Sequence, residues 1–187
     1  MEQTVIYNNI SYRILNAEHE CIIHPLVLGL LPITKDSLQR SFSCDFHVYD
    51  YHLILDRMEL TDGNQKDQQQ LKIGMQVLYS GVILLGANLV KEYYEKSGNL
   101  TCFSYQNVIE LIFENGMLIT TVDQSKAMLR IRKNIEMGLR SLNKSRDLRC
   151  IKRFMNSSFV GDYKSFLLDS MRIKYLKEVK SEYEKEH

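Results

Sequence analysis

Ile109-Glu-Leu-Ile-Phe-Glu-Asn-Gly-Met-Leu-Ile-Thr-Thr-Val-Asp123 reads as two alternating strands closed on an Asn115-Gly116 turn. A two-residue type I′ turn needs positive φ at both positions, which Gly accepts freely and Asn tolerates. The register follows from the turn: Phe113 faces Leu118, Leu111 faces Thr120 and Ile109 faces Val122 on a largely apolar face. Glu110, Glu114 and Thr121 lie on the other. This is scaffold chemistry, and it fixes architecture before function.

Two further hairpins precede it. Thr4 to Leu15 turns at Asn8-Asn9, pairing Tyr7 with Ile10 and Val5 with Tyr12. Phe42 to about Leu60 turns at Asp50-Tyr51. In that second hairpin Cys44, Phe46, Val48, Leu53 and Leu55 point inward, while Asp45, His47, Tyr49, His52, Ile54 and Asp56 point the other way. Thr61 to Gln70 has no apolar residue and reads as an exposed loop, and two more strands are predicted at 71–79 and 81–85.

After Asp123 the apolar period changes from two to near 3.6, with Met128, Ile131, Ile135, Leu139 and Leu142 on one stripe and Asp123 or Ser125 placed to cap it. Helices are also predicted at 147–155 and 162–183. Strands first and helices afterwards predict an α+β fold. It has an antiparallel, hairpin-rich sheet in the N-terminal two-thirds, with a helical C-terminal third packed on it. The expectation is one domain over 1–187, with a sheet part at 1–123 and a helical part at 124–187.

With 187 residues, 44% hydrophobic and 25% charged, the chain can build a sizeable core. Cys21, Cys44, Cys102 and Cys150 form no C-x-x-C pair, so they read as reduced core residues. No run reaches the roughly 18 apolar residues needed to span a bilayer, and the N-terminus does not resemble a secretion signal. The expectation is a soluble cytoplasmic protein without membrane contact.

The even net charge of +1 conceals an asymmetry. Residues 126–153 hold ten Lys or Arg, among them Arg130, Arg132, Lys133 and Arg140, against Glu136 and Asp147, a net +8 that leaves −7 elsewhere. Solvated helix faces, or docking of an acidic protein, fit such a segment. Nucleic acid fits it poorly, because aromatic residues are not interleaved with the basic ones.

His19, Cys21, His24, Cys44, His47 and His52 are zinc-type ligands, but strand alternation sends Cys44 to one face and His47 and His52 to the other, so no metal site is expected. His47, Tyr49 and His52, with Asp45 and Asp56, form a polar hairpin face that could supply a general base and an orienting carboxylate. The same face is also what a half-exposed hairpin shows. No nucleotide, zincin or hydrolase motif is present, and no cofactor is expected.

Tyr7-Asn-Asn-Ile-Ser-Tyr12, Phe46-x-Val48 with Leu53-x-Leu55, Tyr79-Ser-Gly81 and the Asp123-x-Ser125 helix start give a layout that resembles small uncharacterised bacterial cytoplasmic α+β proteins. Some of these sit beside polymorphic or contact-dependent toxins. The resemblance covers Thr4 to Leu142 in order and spacing, lacks the Trp associated with the second hairpin, and transfers no functional residue. It implies a non-enzymatic immunity or antitoxin-like protein that binds and blocks a toxin. Either Asp45, Asp56, Glu110 and Glu114 or Arg130, Arg132, Lys133 and Arg140 would meet the partner. The alternatives are a small-ligand-binding protein, or a metal-independent nuclease-like enzyme using His47 and His52. The oligomeric state is left open.

Overall fold

Three two-residue turns set the sheet, each reversing the chain in the sense that suits the right-handed twist of its strands. In the computed structural model, which describes residues 3–19, 21–29, 41–61, 68–91, 102–136, 158–161 and 163, all three have positive φ at both positions. The values are 49° and 61° at Asn8-Asn9, 47° and 63° at Asp50-Tyr51, and 50° and 79° at Asn115-Gly116. They join β1 (Thr4–Tyr7) to β2 (Ile10–Ala17), β3 (Ser41–Tyr49) to β4 (His52–Thr61), and β7 (Tyr105–Glu114) to β8 (Met117–Asp123). Tyr7 pairs with Ile10, Val5 with Tyr12 and Tyr49 with His52, as the turn lengths require.

With β5 (Gln68–Gln76) and β6 (Gly81–Leu89), these form one eight-stranded sheet in the order β3-β1-β2-β6-β7-β8-β4-β5. β3 also pairs with β4, so the order closes on itself and leaves β5 outside the circuit. The sheet is mixed, not purely antiparallel: β1 runs parallel to β3, with Thr4 opposite Asp45 and Ile6 opposite His47. The chain between them, β2 and residues 18–40, is long enough for the crossover that parallel pairing demands. Gln68 to Gln70, read from composition as loop, belong to β5 and pair with β4.

A helical C-terminal third is not supported. Its described helix is α1 (Ser125–Glu136), and the helices predicted at 147–155 and 162–183 lie outside the described residues apart from 163. Gln124 holds the capping position, its carbonyl accepting the Met128 amide at 2.9 Å. The Asp123 carboxylate accepts the Ser125 amide at 2.8 Å, and the Ser125 hydroxyl and amide together hold its pKa below the ordinary value. Ser125 Oγ accepts the Val108 amide at 3.1 Å, which ties the start of the helix to β7. Among the described residues no helix is long and apolar enough to cross a membrane.

The chain divides into two compact units, Met1–Leu85 with Leu111–Thr121, and Gly86–Glu110 with Val122–His187. Val5, Phe46, Leu53, Leu55, Met58, Ile83, Leu84, Leu85 and Leu111 are among the buried residues of the first, and Phe103, Val108, Met128 and Ile131 of the second. Six consecutive residues of β6, from Val82 to Ala87, are buried, the pattern of a strand covered on both faces.

In the first unit the Asn115-Gly116 turn is docked, not free. Gly116 N–H donates to the Tyr79 carbonyl at 2.7 Å, its own carbonyl accepts from Leu53 at 2.9 Å, and the Ser80 hydroxyl accepts the Asn115 amide at 2.8 Å. A Cβ on Gly116 would overlap the Val77 carbonyl oxygen, whereas Gly74, also at positive φ, faces open space. Gly116→Ala is therefore predicted to cost about 2 kcal/mol or more, and Gly74→Ala only about 1 kcal/mol of left-handed strain. Urea unfolding midpoints of the two variants check the order.

Candidate functional site: the outer face of β3, β4 and β8

The β3–β4 ladder is regular from Tyr49↔His52 to Phe46↔Leu55, after which Asp45 pairs with Arg57 and Asp56 is left over as a bulge. The extra residue resets the alternation. Leu55 and Met58 are both buried, while Asp56 and Arg57 both lie on the outer face. Asp56 Oδ1 takes the Nδ1 hydrogen of His47 at 2.6 Å. Arg57 Nε donates to Asp45 Oδ2 at 2.7 Å, a second guanidinium nitrogen reaches the same oxygen, and Thr4 Oγ1 donates to Asp45 Oδ1 at 2.7 Å. β5 follows the bend with Gly74 at φ +63°, between the pairs Leu55↔Met75 and Arg57↔Lys72.

The tautomers of two imidazoles follow from their partners. An ionised carboxylate and a peptide carbonyl only accept, so Nδ1 is the donor in His47, facing Asp56, and in His52, facing the Asp50 carbonyl at 2.7 Å. In each neutral ring the lone pair is then on Nε2, which makes no hydrogen bond among the described residues. His47 pairs with Ile54 and His52 with Tyr49, so both rings lie on one face of the ladder as diagonal neighbours.

Large side chains surround them. His52 pairs with Met117 across β4–β8, and the two-residue turn sets Glu114 opposite Met117, giving a row Tyr49, His52, Met117, Glu114 over four strands. Tyr49 is 70% exposed, Met117 47% and Ile119, two residues along the same face, 54%. At the hairpin tip Tyr51, 68% exposed, adopts φ 63°, a left-handed conformation that costs a bulky residue about 1–2 kcal/mol. Its carbonyl accepts the Leu118 amide at 2.6 Å, which holds the strained residue in place.

The other residues singled out from sequence are distributed differently. The outward placement of Glu110 is corrected: it is fully buried. Its carboxylate accepts from Gln124 Nε2 at 2.6 Å, the Val160 amide at 2.9 Å, the Gly161 amide at 3.0 Å and the Tyr163 hydroxyl. Val108 and Glu110 share one face of β7 and Leu111 and Phe113 the other, and all four are buried. A one-sided reading of the strand therefore fails. Both parities of 108–113 are rich in apolar residues, and that was the available signal.

Arg132 is corrected in the same way. It is buried and donates to the Phe103 carbonyl at 3.0 Å and the Tyr105 carbonyl at 2.6 Å. Arg130 and Lys133 are exposed on α1, and Arg140 lies outside the described residues. Among the described residues no group of three or more His, Cys, Asp or Glu side chains is placed to hold a metal ion. His19 Nε2 meets the Ser80 carbonyl at 3.0 Å, and His24 Nδ1 accepts the Leu26 amide at 3.2 Å. Burial pushes the Cys44 and Cys102 thiols up to about 12.

Four donors on one buried carboxylate make Glu110 the anchor of Val160, Gly161 and Tyr163. Glu110→Gln brings an NH₂ group against these donors and is predicted to speed hydrogen exchange at the Val160 and Gly161 amides by about tenfold or more, leaving Leu53 and Leu55 protected. Unchanged protection at 160 and 161 would show that the carboxylate does not hold the segment. No family model, curated protein or solved structure matches the chain.

Proposed function

We propose that this chain is a cytoplasmic, non-enzymatic protein-binding module of the immunity type, which blocks a cognate toxin by covering it with the outer face of β1, β3, β4 and β8. One observation carries the reading: Tyr49, Met117 and Ile119 are 70%, 47% and 54% exposed on a face whose neighbouring polar side chains are already fixed to one another. Contiguous exposed aromatic and aliphatic groups mark interaction surfaces, and anchors preset on a sheet lose little entropy on docking. Tyr51 adds to this, because a strained residue that displays its ring to solvent spends stability on something other than the core.

The same geometry narrows the set of charged side chains open to a partner. Glu110 and Arg132 are buried and Asp45 is committed to Thr4 and Arg57, so the contact is led by the Tyr49–Met117 row with Asp56 and Glu114 beside it. Acid–base chemistry at His47 is the second reading, favoured by its hydrogen bond to Asp56. The Arg57 guanidinium on that face is committed to Asp45, which leaves it poorly placed to stabilise an anionic transition state.

The test is capture from native cytoplasm with tagged protein at moderate salt, followed by mass spectrometry. One stoichiometric protein is expected, lost with Tyr49→Ala combined with Ile119→Ser and retained with Lys126→Glu. Tyr51→Gly is expected to raise stability by about 1 kcal/mol by relieving the left-handed strain, and to weaken capture. A partner retained by the double variant, or none captured by the unaltered chain, would contradict the reading.

A further inference from the structure

The polar atoms that the Tyr49–His52–Met117–Glu114 row offers to a partner are biased toward one sign. In the neutral rings the Nε2 atoms of His47 and His52 are acceptors, because Asp56 and the Asp50 carbonyl each hold the ring's one proton on Nδ1. The charged side chains in or next to the row are Asp50, Asp56 and Glu114, while farther along the same face Arg57 is bound to Asp45, whose β1 neighbour Thr4 pairs in turn with Arg13. Tyr49 presents its aromatic ring beside these acceptors, its centroid 6.1 Å from that of His47, and Tyr51 is exposed at the hairpin tip. The whole first unit carries six Lys or Arg against eleven Asp or Glu, a net −5.

From this charge complementarity we infer that the face receives a basic protein surface, and that an arginine or lysine of the partner docks against Tyr49 with its N–H groups donating to the imidazole Nε2 atoms. The inference rests on the protein-binding reading and names the partner's chemistry. A guanidinium suits the site on two counts: it presents several donors in one plane, and it stacks on an aromatic ring. Acidic side chains at the rim speed the encounter with a basic partner and oppose an acidic one or a nucleic acid. Asp56 is a positioning residue here. It sets which nitrogen of His47 carries the proton, as second-sphere carboxylates do for imidazoles elsewhere.

Asp56→Asn separates this from a structural role. The asparagine amide can donate to Nδ1, which moves the His47 proton to Nε2 and turns an outward acceptor into a donor. The experiment titrates the full chain with an acetylated Gly-Arg-Gly-Arg-Gly peptide amide and, in parallel, with its Glu counterpart, following the His47, His52 and Tyr49 ring resonances and the Met117 methyl by NMR.

Saturable shifts with the Arg peptide, none with the Glu peptide, and a Kd raised about tenfold or more by Asp56→Asn are the expected results. Asp123→Asn, which removes the same charge far along the sequence in the other unit, should leave the Kd unchanged. Equal weakening by the two substitutions, shifts scattered over other acidic residues, or binding of the Glu peptide would overturn the inference. The two claims fail separately. A captured partner that meets this face with an acidic surface leaves protein binding standing and overturns the cation site; saturable peptide binding with no captured protein does the reverse.

Discussion

A single unpaired residue in the β3–β4 ladder governs both the core and the outer face of the first unit. Without the bulge at Asp56, strict alternation after Leu55 would send Arg57 and Glu59 inward and expose Met58 and Leu60. With it, Leu53, Leu55, Met58 and Leu60 are all buried and two consecutive polar residues emerge together. One of them, Arg57, neutralises Asp45 and is joined there by Thr4 of β1; the other, Asp56, takes His47. The bulge thus joins hydrophobic register to site chemistry.

Much of the scaffold was legible in the chain because tight turns leave a local signature. Asn8-Asn9, Asp50-Tyr51 and Asn115-Gly116 fix three hairpins and their registers, and the inward set Cys44, Phe46, Leu53 and Leu55 follows from alternation alone. The parallel pairing of β1 with β3 was not legible, since nothing local specifies which edge a long crossover returns to. The bulge did leave a trace, the shift of apolar positions from 53 and 55 to 58 and 60, which is the period-two pattern slipping by one.

The site was legible in part for the same reason. His47, Tyr49, His52 and Asp56 could be placed on one face from alternation, but the hydrogen bonds that fix the imidazole tautomers depend on side-chain distances that a sequence does not contain. Met117 and Ile119 join that face through a β4–β8 pairing that is non-local. Glu110 and Arg132 were misread because charge was taken as a sign of exposure. A carboxylate that gathers two backbone amides, an amide side chain and a phenol, and a guanidinium capped by two carbonyls, can be fully buried, since their hydrogen-bonding capacity is used inside the second unit.

The cation site inferred for the outer face depends on the proton of His47 being on Nδ1. Two-bond ¹H–¹⁵N correlation spectra of the imidazole side chains, recorded on the full chain at a pH where the rings are neutral, read that position directly. The account predicts the Nδ1–H tautomer for His47 and for His52, with His47 switching to Nε2–H in Asp56→Asn and His52 unaffected. A His47 ring in the Nε2–H tautomer in the unaltered chain would contradict the role assigned to the bulge, and with it the acceptor face.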